Sequence, residues 1–93
     1  MRMERRETKW MVLQEIPNEG KKTRIFQILT KDEVAFVLGY IKWYGPWRQY
    51  TFQPEGGTVF EHQCLQDIRA FLVHLMEVRK LDKQILTNKT EAI

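Results

Sequence analysis

From Trp10 to about residue 60 the chain alternates short apolar runs with turn-forming polar residues; beyond that, apolar positions recur every three or four residues. "WMVLQEI" (10–16) is stopped by Pro17 and the turn-rich "PNEGKK", which predicts a strand and then a loop. "RIFQIL" (24–29) predicts a second strand. "TKDE" at 30–33 has the form of a helix capping box, and Gly39 would stop such a helix. Residue content argues for strands instead. "VAFVLGYIKWY" is β-branched and aromatic, and beyond Gly45-Pro46 it meets a segment of the same character, so two hairpins in series fit better. Pro54 and Gly56-Gly57 mark another turn, with Thr58 to Phe60 as a short last strand. Leu65, Ile68, Leu72, Leu75 and Arg79 then fall on one line, flanked by Phe71 and Val78, and predict an amphipathic helix to Lys80 or about 86. The expected fold class is α+β: an antiparallel meander of four or five strands with one C-terminal helix packed on one face.

Turn positions set the expected faces. A two-residue turn at Gly45-Pro46 places Gly39 against Phe52, Ile41 against Tyr50 and Trp43 against Arg48, the last a cation–π pair. With Lys31-Asp32 as the earlier turn, Phe26, Ile28, Ala35 and Val37 join that face, which the helix stripe can cover. The opposite face then carries an aliphatic half, Ile25, Leu29, Phe36 and Leu38, next to Val34. Its other half holds Tyr40, Lys42, Tyr44, Trp47 and Gln49. An outer face this apolar needs a cover or a partner. From Val34 to Pro54 there is no carboxylate.

Ninety-three residues allow one core and hence a single domain, expected over 10–86. "MRMERRETK" (1–9) has the composition of a flexible basic arm, and "TNKTEAI" (87–93) that of a frayed tail. The net charge of +3 is mild and decides nothing by itself. A single cysteine, Cys64, excludes an internal disulfide, and no run of about 18 apolar residues offers a membrane span. The expected location is a reducing cytoplasm. Asn88-Lys89-Thr90 matches a glycosylation sequon, which is read as accidental without a secretory leader.

Catalytic chemistry is thinly supplied. His62 and Cys64 stand two positions apart at the helix start and His74 about three turns on, so joint metal ligation would need a bent chain. No metal, cofactor or small-molecule substrate is expected. Cys64 reads as a small core residue, and "EGG" is followed by "TVF" rather than by a phosphate-cradling helix. No acid, base or nucleophile has an evident companion, and a non-enzyme is expected.

The runs "LGYIKWYGPWRQYTFQP" (38–54) and "TVFEHQCLQDIRAFL" (58–72) resemble small uncharacterised proteins of bacterial phages and mobile elements. That resemblance implies a phage source and a bacterial host, and by association a task in handling nucleic acid or blunting a defence complex. The order of strands then helix also looks like the single-stranded-DNA-binding coactivator and Whirly group, in architecture only. Two function classes follow. The first is a nucleic-acid or nucleoprotein binder that stacks bases on Tyr40, Tyr44 and Trp47 and attracts phosphates through Lys42 and Arg48. Gln49 would assist, with Arg2, Arg5, Arg6 and Lys9 as an auxiliary basic arm. The second is a protein–protein module, either an inhibitor of a bacterial defence enzyme of the anti-CRISPR type or a self-associating dimer, led by Ile25, Leu29, Phe36 and Leu38.

Overall fold

A computed structural model describes the backbone of residues 3–91 and the side chains of residues 3–82; Arg2 of the expected basic arm lies outside them. Five strands, β1 (Arg5–Glu7), β2 (Met11–Ile16), β3 (Ile25–Thr30), β4 (Val37–Tyr44) and β5 (Gln49–Pro54), precede one helix, α1 (His62–Glu91). The strands form one antiparallel sheet in the order β1-β2-β3-β4-β5, a simple meander, and α1 packs across one face. The expected α+β architecture is the one the protein adopts.

Alternation along each strand places Met11, Leu13, Phe26, Ile28, Ile41 and Tyr50 under the helix. The helix answers with Cys64, Ile68, Phe71 and Leu75. Phe26 meets Phe71 edge to face at 4.7 Å, and both are almost wholly excluded from solvent. Leu65, read from the sequence as part of the stripe, is half exposed, and Cys64 takes the inward place. Burial raises the Cys64 thiol above its ordinary pKa, and Glu61 adds to the rise, so it stands as a small core thiol far from a thiolate. Glu61 also starts the helix: its carboxylate accepts the Cys64 backbone N–H at 2.6 Å.

Several boundaries differ from expectation, each for a physical reason. Residues 5–7 pair with 12–14 as an edge strand rather than trailing as an arm, because the segment is tied to distant parts of the chain. The Glu4 backbone N–H donates to the Glu15 carboxylate at 2.9 Å, Arg24 donates to the Glu4 carboxylate at 2.8 Å, and Arg6 reaches His74 Nε2 at 3.0 Å. Thr58 to Phe60 is not a strand; Phe60 instead turns its ring edge to face against Phe52 at 4.9 Å. The β3–β4 connection is a six-residue loop, 31–36, closed by Thr30 and Phe36 hydrogen bonds, so Val34, Ala35 and Phe36 leave the sheet. α1 continues to Glu91 instead of stopping near 86, since no Gly or Pro interrupts the chain beyond residue 57. Residues 92 and 93 of the expected tail lie outside the described residues.

Candidate functional site

The β4–β5 connection is where the sheet's regularity ends. Gly45 to Trp47 make one tight 3-10 turn with Pro46 near its start, and Arg48 closes it in the left-handed region at φ 51°. The turn is therefore two residues longer than a Gly45-Pro46 hairpin. Tyr44 pairs with Gln49, Trp43 with Tyr50 and Ile41 with Phe52. Because the slip is even, every β5 side chain keeps its predicted face. The expected Trp43–Arg48 contact is lost. Trp43 instead meets Tyr50 edge to face at 5.4 Å and carries the Arg79 guanidinium 4.2 Å from its ring centre.

Gly39 anchors the base of this hairpin. A Cβ there would sit 2.7 Å from the Gln53 carbonyl oxygen and 2.9 Å from both the Phe52 ring and Pro54 Cα. Phe52 thus covers the bare backbone, as the sequence suggested, although its strand partner is Ile41 and Gly39 faces Pro54.

At the tip, Trp47 is 69% exposed and Tyr44 40% exposed, yet the two rings hold each other edge to face at 5.1 Å. Proline in the turn and this ring pair keep the tip stiff without burying it. Arg48 and Gln49 are exposed beside them. Lys42 lies two residues back on the outer face, with its ammonium 5.5 Å from the Tyr40 ring centre. Among the described residues none of Lys42, Arg48, Arg79 and Lys80 forms an ion pair.

The fold adds cations that sequence reasoning missed. The β2–β3 and β4–β5 turns sit at the same end of the meander, and the later turns of α1 pass beneath them. Lys22 and Arg79 therefore line one hollow, while Arg48, Arg79 and Lys80 line the next. The signal was available: in an antiparallel meander alternate connections share an end, so a basic "GKK" turn and a basic "VRK" segment converge if the helix runs back under the hairpin.

The other predicted groups do not join this site. Arg6 points to the helix face, 5.1 Å from the Phe71 ring centre, and donates to His74 Nε2 at 3.0 Å. Arg5 is on the outer face but on the far edge, three strands or about 14 Å from β4. Lys9 lies over Trp10 in the β1–β2 turn, at the opposite end. The aliphatic quartet is also split. A bulge between Ile28 and Leu29 lets Leu29 face Val37, so Leu38 turns inward against the core, whereas Phe36 is in the exposed loop. Ile25 and Leu29 remain half-buried on the outer face, where Val12 and Val37 complete the row with Leu29. His62, Cys64 and His74 are not brought together: His62 is exposed, Cys64 is in the core and His74 lies beside Phe71. Among the described residues no helix is long and apolar enough to cross a membrane.

These features define an antiparallel α+β module that presents a stiff aromatic hairpin tip flanked by cations without an ion-pair partner among the described residues. The chain is 38% identical over 78 residues to a 9.3 kDa protein of Acholeplasma phage L2 described as uncharacterised, a match covering 84% of this chain and 99% of the phage protein. The chain belongs to the family of that phage protein. No protein-family model matches it, and no solved structure does.

Proposed function

We propose that the protein is a non-enzymatic phage binding module that holds single-stranded nucleic acid, bare or within a nucleoprotein, in the cytoplasm of the bacterial host. Trp47 and Tyr44 supply ring surfaces for unpaired bases, and Arg48, Lys42, Lys80 and Lys22 attract the backbone that links them. The observation that carries this reading is Trp47, largely exposed but held in place by Tyr44, beside cations that no carboxylate neutralises among the described residues. An exposed indole that is fixed but not covered loses little conformational freedom when a base stacks on it.

The test is fluorescence polarisation with a labelled single-stranded oligonucleotide at two salt concentrations. Affinity falls as salt rises, and Trp47→Ala weakens it roughly tenfold, as expected for loss of one stacking platform, while the thermal melt stays in place. Unchanged affinity in Trp47→Ala would remove the tip from the interface.

A second reading has its own observation. Trp10, Val34 and Phe36, at 53%, 69% and 62% exposure, share the opposite end of the sheet, where the β1–β2 turn and the 31–36 loop lie. Such a surface suits a protein partner, a defence enzyme of the host or a second copy of this chain. Light scattering separates these, since self-association raises the measured mass and Phe36→Ser lowers it again.

A further inference from the structure

We infer that the cleft between the β4–β5 hairpin and α1 is a receptor for one nucleoside monophosphate unit. Its chemistry is that of the last nucleotide of a strand or of a free nucleotide. The inference builds on the nucleic-acid reading of the neighbouring tip and adds a distinct site with its own ligand.

The cleft has a volume of about 770 Å³, within the range of roughly 300–1,000 Å³ typical of small-molecule sites. Trp43 on the hairpin side and Leu72 and Met76 on the helix side make its apolar walls, and Arg48, Arg79 and Lys80 bring positive charge to it. Glu77 is the one carboxylate in its lining. Flat apolar walls with an excess of cations match a ligand that is a flat ring at one end and an anion at the other. An aliphatic carboxylate would fill the walls but use only part of this charge.

Arg79 sharpens the choice. Its guanidinium sits 4.2 Å from the Trp43 ring centre, and its Nε is buried with no hydrogen-bond partner among the described residues. That Nε is closed to solvent as well as unpartnered, so an acceptor reaches it only as the Arg79 side chain shifts, while a phosphate or base oxygen in the cleft meets the guanidinium that lines it. The cation–aromatic pair is the kind of wall on which bases stack. Arg48 stands where the cleft meets the tip, lining the one and flanking the other, so a strand lying on Trp47 can lead its end inward.

The experiment uses the full chain carrying Trp10→Phe and Trp47→Phe, which leaves Trp43 as the only indole. Thymidine monophosphate is expected to change Trp43 emission saturably, whereas thymidine at equal concentration does so at least tenfold more weakly. Val73→Phe, which adds bulk at a half-exposed lining position, and Arg79→Met each weaken the monophosphate response at least tenfold. Two oligonucleotides differing only in a 5′-phosphate then distinguish the sources. If strand ends are the ligand, the phosphorylated one binds tighter and Val73→Phe abolishes the difference. If free nucleotides are, the two strands bind alike while the monophosphate response persists. Absence of both a saturable monophosphate response and a strand difference overturns the proposal, as does a response that Val73→Phe and Arg79→Met leave intact in folded protein. Trp47→Ala tests the tip separately: a lost oligonucleotide affinity with an empty cleft sinks only this inference, and the reverse result sinks only the interface reading.

Discussion

The two edges of the sheet handle charge in opposite ways. On the β1–β3 side Arg24 donates to both Glu15 oxygens at 2.9 and 3.0 Å and to Glu4 at 2.8 Å, and lies 4.9 Å from the Phe26 ring centre; Arg6 and Lys31 are paired as well. On the β4–β5 side no such pairing occurs among the described residues, and the strands are held by rings packed over Gly39 and against Phe60 and Arg79. Cations fully occupied by neighbouring carboxylates have little left for a ligand. Cations left free beside rigid rings have much. The contrast separates arginines engaged by the fold from arginines left available better than net charge does, because both kinds contribute equally to +3.

The comparison breaks hardest at Gly39. Gly39→Ala forces a methyl into backbone atoms of Gln53 and Pro54 that cannot yield as a side-chain end would, and should cost about 1–3 kcal/mol in urea unfolding. If the β4–β5 side were held by anything other than this close approach, the loss would be negligible. A smaller effect is expected on the other side. Arg24→Met leaves Glu15 and Glu4 without their shared donor; with both groups partly exposed, the expected cost is about 1–2 kcal/mol at neutral pH.

That second loss has a pH signature. The Arg24 hydrogen bonds outweigh burial and hold the Glu15 carboxyl below its ordinary value; at Glu4, burial pushes upward but bonds from Arg24 and Arg6 prevail. Folded values lower than unfolded ones mean that the stabilisation is complete above the unfolded value of about 4.3 and fades as pH falls through the folded ones. Unfolding curves between neutral pH and pH 3 should show wild type losing this increment, with Arg24→Met flatter over the same range. The smallest stability effect belongs to the tip. Trp47→Ala should shift unfolding by less than about 0.5 kcal/mol while carrying the binding loss described above. A large destabilisation would instead make Trp47 part of the scaffold.

How far the sequence led can be followed in individual residues. The helix-side identity of Phe26, Ile28, Ile41, Tyr50 and Phe52 was legible because period-2 alternation survives any even register error, and the hairpin turn was misjudged by two. Leu38 was misplaced because a bulge is an odd error, and alternation gives no warning of it. Strand β1 stayed hidden because "RRE" has no apolar pattern; its place is fixed by Glu4, Glu15, Arg24 and His74, which lie far apart in the chain. Of the candidate site, Tyr44, Trp47 and Arg48 were visible from composition around a turn. Lys22, Arg79 and Lys80 needed the topology, because only the meander's parity puts residues 22 and 79 around one hollow.

Arg48 brings a last consequence. It occupies a left-handed backbone position that disfavours any L-residue with a side chain by roughly 1–2 kcal/mol and that glycine adopts without penalty. A glycine there would make the loop easier to close and the folded chain harder to melt, yet it would delete the guanidinium at the cleft mouth. Gain in melting temperature joined to loss of ligand in a single substitution would mark this bend as a place where the protein tolerates discomfort for the sake of its work.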